Sequence, residues 1–414
     1  TTPGTRLQEF NWTRDAGLNP FISTATTTLN PGQSYVKVSK VEQTLDANGW
    51  GNVLWTKIYN YGDLVNPART YTNTYFTDSE HTNRYIRNRV LTTTLGSGGQ
   101  NVTLVTNTYG GSYGGLVDIT NLNMHDPAYG TAFTYRGNLL TRTVPGKPTG
   151  YFKYDIAGNV TRTTDNQGHT VDVTCTANCT APGVVTPNSN TNLASSFSYT
   201  SFLGIASATA PNASTTSYDN QARPTTTTSP HGAVTTYTYN DSPLPAYEKA
   251  TTNGKWVKKP KDGLGRVVLG ETGYGTTTGA KGTTEYAPCA CSPLGRVWRV
   301  SQPYSGTSPT AWTTYSYDAL GRTTCVSPPG NSGSTTYVYE GNVVRVTDPA
   351  GRWKKYETDA FGNVVKVTEP NPQGGANHET TYAYDMFNRL TTVTMPRGGT
   401  TQTRTFAYNT LGQL

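Results

Sequence analysis

The chain has 414 residues, of which 14% are Asp, Glu, Lys or Arg, against roughly 25% in an average soluble protein, while 11% are aromatic. Its formal charge of +7 would suit a polyanion, but the basic residues are dispersed. The densest run is Lys255-Trp256-Val257-Lys258-Lys259-Pro260-Lys261 and Arg otherwise comes singly at turns, so a solvated surface is expected and no nucleic-acid site. No apolar run approaches the roughly 18 residues a membrane-spanning helix needs. The chain begins at Thr1 without Met or a signal-like segment and stops at Leu414 inside a repeat, so it is expected to be a piece of a longer parent chain.

From the N-terminus, residues 1–40 carry no assignable fold. Residues 41–132 hold degenerate repeats, with Leu45-Asp46-Ala47-Asn48-Gly49, Gly51-Asn52-Val53 and the Tyr59/Tyr61 pair as worn copies. Residues 133–414 form a regular array. Its unit is Tyr-Asp-x-x-Gly-Arg/Asn, seen at Tyr154-Asp155-Ile156-Ala157-Gly158-Asn159, at Tyr317-Asp318-Ala319-Leu320-Gly321-Arg322, at Tyr384 to Arg389 around Asp385, and at Tyr408 to Gln413 around Gly412. The frame survives without Tyr at Asp262/Gly265, at Ser292/Gly295 and at Asp359/Gly362, and a degenerate copy runs from Tyr218 to Arg223.

Each slot has a physical reason. The second, Asp, Asn or Ser, carries an oxygen that accepts from a backbone N–H two residues on and fixes a turn. The fifth is Gly, or Asn at 388, residues that tolerate the positive φ of a hairpin loop. The fourth is an apolar lid over the turn, and the sixth a polar residue opening the next strand. Aromatic pairs such as Phe152/Tyr154, Tyr237/Tyr239, Tyr315/Tyr317, Tyr337/Tyr339 and Tyr382/Tyr384 precede the turn at period two, so both rings of a pair share a sheet face. β-Branched runs such as Val343-Val344-Arg345-Val346-Thr347 follow it.

The second slots at 262, 292, 318, 359, 385 and 409 are spaced 30, 26, 41, 26 and 24 apart, the longest interval hiding Tyr339-Glu340-Gly341-Asn342. Such a period holds two strands and two turns and leaves no room for a helix. The expected fold is all-β, a tandem series of hairpins in one extended antiparallel sheet.

Chemistry was sought along the same path. Gly110-Gly111-Ser112-Tyr113-Gly114 satisfies the nucleophile-elbow pattern after a strand at 102–109, but a loop and a strand at 115–120 are expected after it instead of the required helix. His81, His125, His169, His231 and His378 are scattered without zinc-ligand spacing and are expected at surface or turn positions, with His125-Asp126-Pro127 worth inspection. Cys175 and Cys179 flank a loop where a small disulfide ring is possible. Cys289 and Cys291 occupy an aromatic-pair position as core residues, or one of them pairs with Cys325. The recurring aspartates read as turn caps and not as catalytic carboxylates, and neither cofactor nor metal is expected. Trp50, Trp55, Trp256, Trp298, Trp312 and Trp353 are candidates for stacking on glycans, each equally suited to filling gaps between repeats.

On the Tyr-Asp pairs at Tyr154-Asp155, Tyr218-Asp219, Tyr317-Asp318 and Tyr384-Asp385 the chain resembles the Rhs, or YD-repeat, family from about Phe133 to Leu414. The resemblance implies a strip spiralling into a hollow shell or tube, as in bacterial Rhs proteins that enclose a C-terminal toxin, in insecticidal toxin complexes and in teneurins. It implies a non-enzymatic scaffold in a secreted or cell-surface bacterial protein. The partners it implies are the rest of the parent chain, a toxin cargo, or neighbouring subunits paired through sheet edges into filaments. An extracellular fibre or adhesin binding glycans is the alternative. Self-cleaving members carry paired Asp-Pro-x-Gly-Leu motifs, and the nearest match here, Asp348-Pro349-Ala350-Gly351-Arg352, has Arg in place of Leu and reads as a turn.

Overall fold

A computed structural model describes residues 5–119, 122, 124–176, 179–201, 203–287, 295–330 and 332–414. Among the described residues there are 31 strands, one short α-helix at Ser79–Thr82 and two 3-10 turns. Chain neighbours pair antiparallel, from Arg6–Arg14 against Pro20–Leu29 through to Leu390–Arg397 against Thr400–Thr405. Residues 6–14 and 20–29, for which the sequence assigns no fold, thus belong to the same meander.

A shared irregularity marks many of the turns. The register slips by one residue where the strand enters the loop, so that the first slot of the repeat faces the seventh: Tyr317 opposes Thr323, Tyr218 opposes Pro224 and Tyr384 opposes Leu390. The same slip pairs Leu45 with Val53 and Tyr109 with Leu139, where the sequence signature is worn or lost. A bulge of this kind bends the strand and adds local twist.

The accessible surface is 24134 Å², where a compact protein of this mass exposes roughly 15,600 Å². Among the described residues the buried apolar side chains are few: Tyr59, Leu95, Tyr154, Ile156 and Trp256. Most strand positions are half-buried on both faces, which explains the abundance of Thr. Its branched Cβ suits the pleat while its hydroxyl stays satisfied, as in the cross-strand contacts Thr235 to Thr252 at 2.6 Å and Thr108 to Thr141 at 2.7 Å.

The chain divides into two compact units, Thr1–Thr74 with Thr93–Leu104 and Thr283–Leu414 in one, and Tyr75–Thr92 with Val105–Gly282 in the other. In the first, the strip returns upon itself. The Gly341 N–H donates to Asn30 Oδ1 at 3.0 Å and the Ala360 N–H to Asn60 Oδ1 at 2.9 Å, joining segments about three hundred residues apart. In the second, residues 76–89, 111–119 and 124–137 stand outside the meander, with His81 between Phe76 and Tyr135 and the Arg89 Nε donating to the Gly137 carbonyl at 2.7 Å.

The fifth slot demands a left-handed backbone in every copy, as at Gly265 (φ 78°) and Gly321 (φ 73°), yet Ala222 adopts φ 59° in the degenerate copy. A Cβ at Gly265 meets nothing within 4 Å, so its cost is purely conformational. Gly265→Ala is therefore expected to destabilise, and Ala222→Gly to stabilise, by about 1 kcal/mol each in denaturant unfolding.

Candidate functional site

The recurrent structural site is the turn itself. In the copy at 318–322, Asp318 Oδ1 accepts from the backbone N–H of Leu320 at 3.0 Å and of Arg322 at 2.9 Å. Its Oδ2 accepts from Arg322 Nε at 2.7 Å, while the Gly321 N–H donates to the Asp318 carbonyl at 2.9 Å. One carboxylate thus satisfies two loop amides and one guanidinium. Asp262 and Arg266, Asp385 and Arg389, and Asp219 and Arg223 repeat the arrangement, and at Asp155 and Asp359 the sixth-slot Asn amide replaces the guanidinium. Gly158, Gly265, Gly295, Gly321, Gly362 and Gly412 all have positive φ.

The sixth slot does more than open the next strand. Its guanidinium lies over the aromatic ring that ends the next hairpin: Arg322 over Tyr339 at 4.1 Å, Arg223 over Tyr239 at 4.3 Å and Arg389 over Tyr408 at 4.9 Å. The ring answers in kind. Tyr339 donates its hydroxyl to the Thr323 carbonyl at 2.9 Å, Tyr317 to Val297 at 2.7 Å, Tyr384 to Val364 at 2.8 Å and Tyr408 to Leu390 at 2.9 Å. In each case the acceptor is the seventh residue of the preceding unit. Burial pushes the Tyr317, Tyr339 and Tyr384 phenols above their ordinary pKa. Aspartate, arginine and the following tyrosine therefore form one chain of contacts that ties each repeat to the next.

The fourth slot differs from the expected lid. Leu264 is 78% exposed, and Leu320, Phe387 and Leu411 are also exposed, because the tight carboxylate-centred loop turns this position outward. Phe361 is half-buried, and there a contact from far along the chain accounts for it. The Arg69 guanidinium lies 3.8 Å over the Phe361 ring and donates to Asn388 Oδ1 at 2.5 Å, the same oxygen that accepts from Asn363 Nδ2 at 2.8 Å. The Asn in the fifth slot at 388 supplies an acceptor that Gly would lack. No local pattern marks Arg69, Asn30 or Asn60, which lie far from their partners in sequence.

Two further turns share the geometry. Asp348 accepts from the Ala350 and Arg352 amides at 2.9 Å and from Arg352 Nε at 2.8 Å. Asp165 accepts from the Gln167 and His169 amides at 2.9 Å and contacts His169 Nδ1 at 2.8 Å, a copy with His in the sixth slot that the Asp-x-x-Gly spacing at 165–168 would have revealed. Ser112 accepts from the Tyr154 N–H at 2.8 Å, and residues 115–119 form no strand, only a parallel bridge from Val117 to Asp155. That crossing leaves Asp155 1% exposed. His81 departs from the expected surface position, being 5% exposed with Nδ1 2.7 Å from Asp78, because the packed loops of the second unit enclose it. Asp126 caps a 3-10 turn through the Ala128 N–H. Trp256 is buried, its Nε1 donating to the Gly275 carbonyl at 3.0 Å, so it offers no stacking surface.

Cys175 and Cys179 are bonded, with Cα atoms 4.7 Å apart. Cys325 is a half-buried thiol 3.5 Å from Ser327 Oγ, and Cys289 and Cys291 lie outside the described residues. Among the described residues no cluster of His, Cys, Asp and Glu could hold a metal, and no helix is long and apolar enough to cross a membrane. In the basic run, Lys259 and Lys261 pair with Glu248 at 3.3 and 3.1 Å, and Lys258 lies over Tyr247 at 4.4 Å.

Residues 359–401, which span two of these turns, match the RHS repeat family model. The chain carries an RHS repeat there. Two solved structures share the fold of this chain: the TcdB2-TccC3 crystal structure, at 12% identity with a TM-score of 0.63 over 91% of this chain, and the same protein without its hypervariable C-terminal region, at 10% and 0.62 over 95%. This chain spans 27% and 30% of those two chains. No curated protein sequence matches it.

Two predictions follow from how the turn is bonded. Tyr339→Phe removes the inter-repeat hydroxyl bond and should cost about 0.5–1.5 kcal/mol in denaturant unfolding, with loss of hydrogen-exchange protection concentrated at the turn around Asp318. The Arg266 side chain holds the Asp262 carboxyl, and the Arg223 amide the Asp219 carboxyl, below the ordinary 3.8. The stability they contribute is present above the unfolded value of about 3.9 and is lost as pH falls through the lowered folded values. Thermal melts from pH 6 to 2 should show Asp262→Asn destabilising at pH 6 and near neutral at pH 2.

Proposed function

We propose that this chain is wall material: a non-enzymatic scaffold segment of a larger secreted or cell-surface bacterial Rhs protein, in which the curved strip encloses a volume able to hold a toxin cargo. The observation that carries this reading is the return of the strip upon itself at Asn30, Asn60 and Arg69. A strip that bonds to its own earlier strands has begun to wall off an interior. The similarity in fold to TcdB2-TccC3, whose chains are more than three times as long, supports a larger assembly around the segment. The turn aspartates and glycines serve in this reading as the hinges and fasteners of the wall, and the Cys175–Cys179 ring as a local staple in an oxidising compartment.

Electron microscopy of the longer protein containing this segment should show a hollow, β-walled particle, and a compact globule would overturn the reading. Prolonged incubation of the purified chain should leave its mass unchanged. A cleavage product that disappears in Asp348→Asn would instead make that turn a self-processing site.

A further inference from the structure

The returning strip creates a cavity of about 530 Å³ in the first unit, between Tyr35 and Lys37 on one side and strands Val343–Thr347, Trp353–Thr358 and Val364–Glu369 on the other. Gly341 permits the approach, since a Cβ there would stand 2.5 Å from the Tyr35 carbonyl and 2.8 Å from Lys37 Cγ. Seven charged groups line the cavity: Lys37, Arg345, Lys355, Lys366, Glu340, Glu357 and Glu379. All three carboxylates are already engaged, Glu340 by Lys355 at 3.7 Å and Glu357 and Glu379 by Lys366 at 3.5 Å each.

That leaves Lys37 and Arg345 without an ion-pair partner among the described residues. Arg345 sits directly opposite Lys355 in the strand register, a like-charge pairing that is unfavourable on its own. Its Nε is buried with no acceptor, a state that costs free energy until something supplies one. Its guanidinium lies over the Trp353 ring at 5.0 Å, so the cation is held in place at an aromatic wall.

We infer that this cavity is a binding site for a carboxylate-bearing sugar of the uronic-acid class. The missing partner of Arg345 and Lys37 is an anion. A bare inorganic anion would leave most of the cavity unfilled, whereas pockets of a few hundred Å³ suit a ligand of monosaccharide size or larger. The remaining lining matches a sugar ring: Trp353 and Tyr35 present aromatic surface, and Asn377, Thr368 and the three carboxylates present groups that accept or donate to hydroxyls. The site draws on residues some three hundred positions apart, so it exists only where the strip has closed.

Isothermal titration of the full chain with glucuronate, glucose, N-acetylaspartate and inorganic phosphate tests the inference. Glucuronate should bind at least tenfold more tightly than the other three, and more weakly as salt rises. Arg345→Met and Lys37→Met, on separate strands, should each lower glucuronate affinity at least tenfold while the thermal unfolding of at least one of them stays at the parent value. Equal binding of glucose would remove the anion from the inference, and equal binding of N-acetylaspartate or phosphate would remove the sugar. No binding of glucuronate, or unchanged affinity in a folded variant, would overturn the inference outright.

Discussion

The aspartate carboxylate that recurs in the repeat turns is the interaction on which the rest of this structure depends. It accepts from two loop amides and from the sixth-slot side chain, so the loop closes without a hydrophobic core beneath it. The arginine so held is presented to the tyrosine of the next hairpin, and that tyrosine's hydroxyl returns to the backbone just beyond the arginine. Local turn chemistry and repeat-to-repeat cohesion are therefore one network. A repeat protein stabilised by nearest-neighbour contacts needs such a link, because no unit can bury enough apolar surface alone.

The low charge content and the wealth of Thr follow from the same architecture. A sheet half-exposed on both faces has no wholly apolar side and no wholly solvated one. Side chains that tolerate both conditions dominate, and charged residues appear as cross-strand pairs such as Lys354 with Glu369 at 2.7 Å. The basic run at 255–261 belongs to this pattern, its lysines shared between glutamates and aromatic rings.

Departures from the repeat are informative because the repeat is so regular. Asn at 388, where Gly would suffice for the backbone, serves Arg69. The segments at 76–89 and 124–137 replace ordinary connections by loops that pack their own aromatic cluster around His81. Arg345, placed opposite Lys355, lies over the Trp353 ring of the neighbouring strand and has no ion-pair partner among the described residues. Each is a position where the sheet alone does not account for the residue.

The all-β fold, the hairpin period and the identity of the turn residues were legible in the sequence, because those interactions run between residues two to four apart and recur often enough to expose their pattern. The Asp-x-x-Gly spacing even extends to Asp165 and His169, where the sixth residue disguises it. The burial of His81 and of Trp256 and the contacts of Arg69, Asn30 and Asn60 were decided by tertiary structure. They depend on which segments meet on folding, which no local pattern records, whereas the outward fourth slot follows from the tight loop itself. The turn that announces itself in sequence as a repeat is thus also the element that bends the strip, and only folding decides what that bend brings together.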